Sequence, residues 1–133
     1  MSPLPLHEIL YCSVLSEGQS PNIVGQIAAQ ARARNAARDV TGLLVFDGMH
    51  FCQHLEGPAD AVLHLLDRLQ QDPRHTAVRV VYEGPCTERR YRRFDLGFAQ
   101  TADPDDMAGI QALDGEAALR RFLALQPGFD ING

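Results

Sequence analysis

Two stretches with helical periodicity divide this sequence, and each sits between runs of strand-forming residues. The first follows Ser20-Pro21, where Ser20 can cap and Pro21 suits the first helical position; it runs to about Asn35 with Ile23, Val24, Ile27 and Ala31 on one face. The second spans about 59–71, where Val62, Leu65, Leu66 and Leu69 form an apolar stripe. Asp72-Pro73 ends it, because the residue before a proline is pushed out of the helical region. Strand signals lie at 6–14, 40–47, 49–56, 77–83 and 92–99. Asp47-Gly48 joins the second and third strands as a hairpin, and Gly57-Pro58 breaks the chain after them. The resulting order, βαββαββ, predicts an α+β, ferredoxin-like fold: a five-stranded mixed sheet with two helices on one face. Two weaker helical stretches, Met107–Ala112 and Glu116–Leu125, are expected to form a C-terminal helical segment on the other face. The fold by itself names no function.

Composition narrows the field. The chain has 133 residues, which suits one domain, and 45% hydrophobic residues are enough to bury a core without staples. A formal net charge of −5 argues against a nucleic-acid surface, and Arg89, Arg90, Arg92 and Arg93 read as a solvated strand edge or turn. Three widely spaced cysteines suggest no disulfide framework, and no membrane-spanning run or signal-peptide core is visible, so a cytoplasmic protein is expected.

Strand alternation then singles out residues that are odd for a plain core. Met49, Phe51, Gln53 and Leu55 share one face of the third strand, and His7, Ile9, Tyr11 and Ser13 share one face of the first. A buried amide without a partner costs about 1–3 kcal/mol, so Gln53 needs a polar neighbour. Tyr11 could supply it as an ordinary core tyrosine, and Asn35 could merely end its helix. A polar, planar ligand between the helices would satisfy all three groups together. On the opposite face of the third strand, His50, Cys52 and His54 have types that zinc accepts, but no fourth ligand is apparent, and a mixed-polarity surface beneath the C-terminal segment is the alternative. Arg68 and Asp72 have the spacing of an intrahelical ion pair, and Arg74-His75 could complement the helix dipole. No nucleophile–base pair is identifiable, and no phosphate-loop or metalloprotease motif is present.

The run Ala31–Gly57, "ARARNAARDVTGLLVFDGMHFCQHLEG", resembles the BLUF family of blue-light sensors. "LYCS", "DPRH" and "RRYRRFDLGF" extend the likeness over about residues 6–99 in the same order and spacing. The resemblance implies a flavin-binding photosensor at 1–100, a C-terminal helical extension at 101–133, and non-covalent FAD, with FMN or riboflavin as other options. It implies that Tyr11 and Gln53 are the photoactive pair, and that Asn35 bonds the pyrimidine side of the ring. Ser13, Ile27, Arg34, Arg68, Asp72 and His75 match further flavin-contacting positions. It also implies a receptor rather than an enzyme: the excited flavin takes an electron from Tyr11, Gln53 turns over, and the altered hydrogen bonding is the signal. A separate downstream protein would read that signal, and a homo-oligomer, a dimer first, is expected. Phe94 and Leu96 stand where many members carry tryptophan and methionine. A light-silent flavin-binding or regulatory module and a small ferredoxin-like hydrolase are the alternatives; the latter lacks an arginine in its first loop, "SEGQSPN".

Overall fold

The computed structural model describes residues 6–20, 22–99, 105–125 and 129–132. Its order is β1 (Leu6–Leu15), α1 (Ile23–Ala37), β2 (Thr41–Phe46), β3 (His50–Pro58), α2 (Ala59–Gln70), β4 (His75–Cys86), β5 (Phe94–Ala99), α3 (Asp105–Gln111), α4 (Gly115–Leu125) and β6 (Phe129–Asn132). The sheet runs β4-β1-β3-β2-β5-β6. The β2–β3 hairpin inserts β3 beside β1, and among the described strands only β2 and β5 pair in parallel. The expected five-stranded ferredoxin-like sheet is therefore present, and β6 adds a short antiparallel strand at the β5 edge.

Each sheet face carries its own core. Ile9, Tyr11, Leu44, Phe51 and Leu55 face α1 and α2, where Val24, Ala28, Ala31, Val62, Leu65 and Leu69 cover them. Leu10, Cys12, Leu43, Val45, Cys52 and Val81 face Met107 and Ile110 of α3 and Ala118, Leu119 and Phe122 of α4. Period two along the strands produces this division, because successive side chains point to opposite faces.

Several boundaries differ from the sequence reading. The N-cap of α1 is Asn22 and makes no side-chain cap bond; Ser20 instead accepts the Asn22 backbone N–H at 3.2 Å through Oγ, and Pro21 lies outside the described residues. Strand β4 reaches Cys86, well past the expected end at 83. Gly84-Pro85 does not stop it because β4 is an edge strand, where a residue lacking its N–H forfeits no ladder bond on the open side.

Two glycines set the spacing at the centre of the fold. A Cβ on Gly42 would lie 2.1 Å from the His54 carbonyl oxygen, and one on Gly57 would lie 2.9 Å from that of Asp39. Both neighbours are backbone, so no side-chain adjustment could relieve the contact. The glycines of "TGLL" and "LEG" are thus required by the close approach of β3 to β2 and to the turn before it.

Candidate functional site

The site is built on β1 and β3, whose register sets Tyr11 directly opposite Gln53. Both side chains are 2% exposed and face the layer under α1 and α2. The Tyr11 hydroxyl donates a hydrogen bond to Gln53 Oε1, which turns the Gln53 NH2 group away from the phenol. Burial, and then the negative charge of Asp72, raise the Tyr11 pKa well above the ordinary phenol range. The phenol therefore keeps its proton at neutral pH and remains the donor.

Ser13 lies two residues further along β1, fully buried. Its Oγ is 2.8 Å from His75 Nδ1, and His75 Nε2 is 2.6 Å from the Leu69 carbonyl oxygen in the last turn of α2. A carbonyl can only accept, so Nε2 carries the proton and Nδ1 accepts from Ser13. The His75 ring stands edge-on to Tyr11 and to Phe51, with centroids 6.1 Å away in each case. His75 thus ties β1 to the end of α2 beside Tyr11 and Gln53.

Asn35 is buried at 2% exposure near the end of α1. Its backbone carbonyl accepts from Val40 N at 2.9 Å, which shapes the turn into β2. Its side-chain Nδ2 is buried and has no hydrogen-bond partner among the described residues. An orphaned donor of this kind is costly unless a ligand accepts from it. It borders a small cavity between α1 and α2, lined also by Arg34, Val40, Leu65 and Arg68. Burial, and then repulsion from Arg68 and Arg74, lower the pKa of Arg34. Three arginines, Arg34, Arg38 and Arg68, line this cavity.

The remaining expected residues are distributed around this centre. Ile27 is half-buried against the α1/α2 core. Asp72 does not pair with Arg68, which is exposed. Asp72 binds Arg74 instead, at 2.7 Å to Nη2, and also accepts the Arg74 backbone N–H at 2.9 Å. Burial would raise the Asp72 pKa, but the Arg74 bonds outweigh it and the net shift is downward. The turn at Pro73 brings Arg74 back onto Asp72, a geometry that overrides the helical spacing to Arg68. Phe94 is buried in the same core as Tyr11. The side chain of Leu96 lies outside the described residues.

On the reverse face, His50, Cys52 and His54 do not converge. His50 lies 3.0 Å from Asp47, Cys52 Sγ lies 3.2 Å from Cys12 Sγ, and His54 bonds Glu8 and Tyr91. Among the described residues no group of three potential ligands could hold a metal ion. Sequence reasoning overlooked the buried Glu8 and Glu56 and the half-buried Tyr91 as the partners here.

The family described as "BLUF: Sensors of blue-light using FAD" matches residues 6–97. The chain belongs to the BLUF family. The photoactivated adenylate cyclase subunit beta of Euglena gracilis is 41% identical over 86 residues, 65% of this chain and 10% of that protein. The blue light- and temperature-regulated antirepressor BluF of Escherichia coli (strain K12) is 37% identical over 70 residues, 53% of this chain and 17% of that protein. The chain therefore matches only a small part of the length of these relatives. Among solved structures, Klebsiella pneumoniae BlrP1 with FMN and cyclic diGMP superposes with a TM-score of 0.68 at 26% identity, covering 86% of this chain and 29% of that one. The BlsA ground state gives a TM-score of 0.77 at 21% identity, covering 90% of this chain and 85% of that one, and bears on the fold. Membership makes the matched BLUF unit a flavin-binding blue-light sensory domain rather than a catalytic one, which removes the hydrolase alternative. Among the described residues no helix is long and apolar enough to cross a membrane.

Proposed function

We propose that this chain is a blue-light photoreceptor that holds FAD non-covalently between α1 and α2 and signals by hydrogen-bond switching at Tyr11 and Gln53. The observation that carries the reading is the buried Tyr11–Gln53 bond in the same layer as the Asn35 Nδ2, which has no partner among the described residues. The residues present suit a flavin ring: a neutral amide donor at Asn35, a reversible amide at Gln53, and apolar walls from Ile27, Val40 and Leu65. Arg34, Arg68, Asp72, Ser13 and His75 complete the proposed contact set. FMN or riboflavin would meet the same ring-binding groups.

When bound, the flavin supplies a strongly oxidising excited state. Tyr11 is the buried phenol next to Gln53, and its Oη proton is placed to move along the bond to Gln53 Oε1 and return. The Gln53 amide has one accepting and one donating end, so turning it over exchanges the two and changes what Tyr11 and the ligand see. The two amide orientations must differ by only a few kcal/mol for thermal return. We assign residues 1–100 to the photosensor and 101–133 to the output extension. A separate cytoplasmic protein, or a second copy in a dimer, would read the change.

The test is spectroscopic. The purified protein is expected to be yellow and to show a reversible red shift of its flavin bands under blue light. A yellow protein with no shift would support a light-silent flavin module instead. Tyr11→Phe removes one oxygen and Gln53→Leu removes the amide at similar volume. Each variant should stay yellow and lose the shift. A full reversible shift in Tyr11→Phe would overturn the mechanism even with flavin bound.

A further inference from the structure

His54 follows Gln53 on β3, so strand alternation points its ring to the α3/α4 face. The surrounding row is apolar, with Leu10, Cys12, Leu43 and Cys52, yet His54 is fully buried within it. Both ring nitrogens are engaged: Nε2 lies 2.8 Å from Glu8 Oε1, and Nδ1 lies 2.8 Å from the Tyr91 hydroxyl. Glu56, directly across from Glu8, accepts the Tyr91 backbone N–H at 2.8 Å. Arg89, from the same β4–β5 connection, donates to Thr41 Oγ1 at 2.8 Å and to the Asp39 carbonyl oxygen at 2.9 Å. On its other side the His54 ring meets Phe122 of α4 edge-on, with centroids 5.8 Å apart.

Packing alone does not ask for this arrangement. Replacing buried ionisable groups by apolar residues of similar volume is often neutral or stabilising, and the rest of this face is already apolar. What the polar set adds is direction. Residues 53 and 54 share a planar peptide, so a backbone rotation that follows the Gln53 side chain tips the His54 ring on the far side of the sheet. Bonded at both nitrogens and edged by Phe122, the ring cannot tilt without displacing Tyr91 and pressing on α4.

We infer that His54 is the positioning residue that couples the amide orientation of Gln53 to α4 and to the 87–93 connection, through Tyr91 and Phe122. The inference rests on the photoreceptor reading and deepens it by naming the exit from the switch. Neither His54 nor Tyr91 belongs to the proposed flavin contacts, so their substitution should leave the colour change intact.

The experiment compares backbone hydrogen exchange of α4 in the dark and under blue light, on the full chain loaded with FAD. In the wild type, light should change α4 exchange by about fivefold or more, the scale of a coupling free energy between linked sites. Tyr91→Phe, which removes one hydroxyl, and His54→Phe, which keeps a ring but removes both bonds, should reduce the light-minus-dark difference to less than about twofold while retaining the red shift. Simple loosening of the fold would raise exchange in both states and leave their ratio standing. If His54→Phe fails to fold because Glu8 is stranded, Tyr91→Phe decides alone. A wild-type light response in α4 of Tyr91→Phe overturns the inference, as does a red-shifting wild type whose α4 does not respond. A wild type with no red shift overturns the photoreceptor reading, and the inference with it.

Discussion

The two faces of the sheet bury polar groups in opposite ways. Under α1 and α2 the polar side chains at the centre are neutral: Tyr11, Ser13, Gln53 and Asn35, with the Asn35 Nδ2 left without a partner among the described residues. Under α3 and α4 they are ionisable, and Glu8, His54 and Tyr91 are bonded in a chain, with Tyr91 in turn bonded to Glu56. A neutral amide can exchange its two ends at small cost, so the first face can hold two states. A histidine locked between a carboxylate and a phenol has one favoured arrangement, because breaking it strands a charge in an apolar layer. The contrast separates a bistable element from a stiff one, and the two meet at adjacent residues, Gln53 and His54.

The largest effect should come from removing the cover of the second face. Truncation after residue 100 takes away Met107, Ile110, Ala118, Leu119 and Phe122, and would expose Leu10, Leu43, Val45 and Val81 as one apolar patch. Aggregation is expected, measured as loss of the monomer or dimer peak in size-exclusion chromatography. A soluble truncation with normal colour would show that the first face folds and binds flavin without the second.

The first face was much more legible in the sequence than the second. Period two alone put Tyr11 and Gln53 on one layer, and the hairpin placed β3 next to β1. The same alternation put His54 on the reverse face, but its partners Glu8 and Tyr91 lie 46 and 37 residues away and leave no local pattern. The available signal was a glutamate in the apolar row of Leu10 and Cys12, on the strand neighbouring His54. Arg68–Asp72 failed for a different reason: helical spacing measures proximity along a helix, whereas Asp72 sits beyond the end of α2, where the turn at Pro73 offers Arg74 a closer approach.

A smaller effect tests the open valence of the first face. In the apo-protein the Asn35 Nδ2 donor has no partner among the described residues, so Asn35→Ala deletes a group that is already a burden. Its backbone bond from Val40 remains. Thermal unfolding of the apo-form should change by less than about 1 kcal/mol, the scale of one net hydrogen bond. Flavin affinity, measured by fluorescence titration, should fall on the order of tenfold, because the ligand loses a bond formed away from water. Equal flavin occupancy in variant and wild type would remove Asn35 from the site.

The smallest effect concerns the charge on the second face. The hydrogen bond from His54 lowers the pKa of Glu8, and its charge adds to this, while burial opposes both; the net shift is downward. A carboxyl whose folded pKa lies below its unfolded value binds fewer protons when folded. Its stabilisation is therefore fully present above the unfolded pKa, near 4.3 for glutamate, and is lost as the pH falls from there through the folded value. Glu8→Gln keeps an acceptor for His54 Nε2 but has no proton to take up. Denaturant titrations from pH 7 down to about pH 3 should show a shallower acid decline for Glu8→Gln than for the wild type. Tyr11→Phe should leave the acid slope unchanged, because its phenol stays protonated across that range on either side of unfolding. Parallel acid declines in Glu8→Gln and the wild type would mean that the charge on Glu8 is not held by His54, and the second face would then be no stiffer than the first.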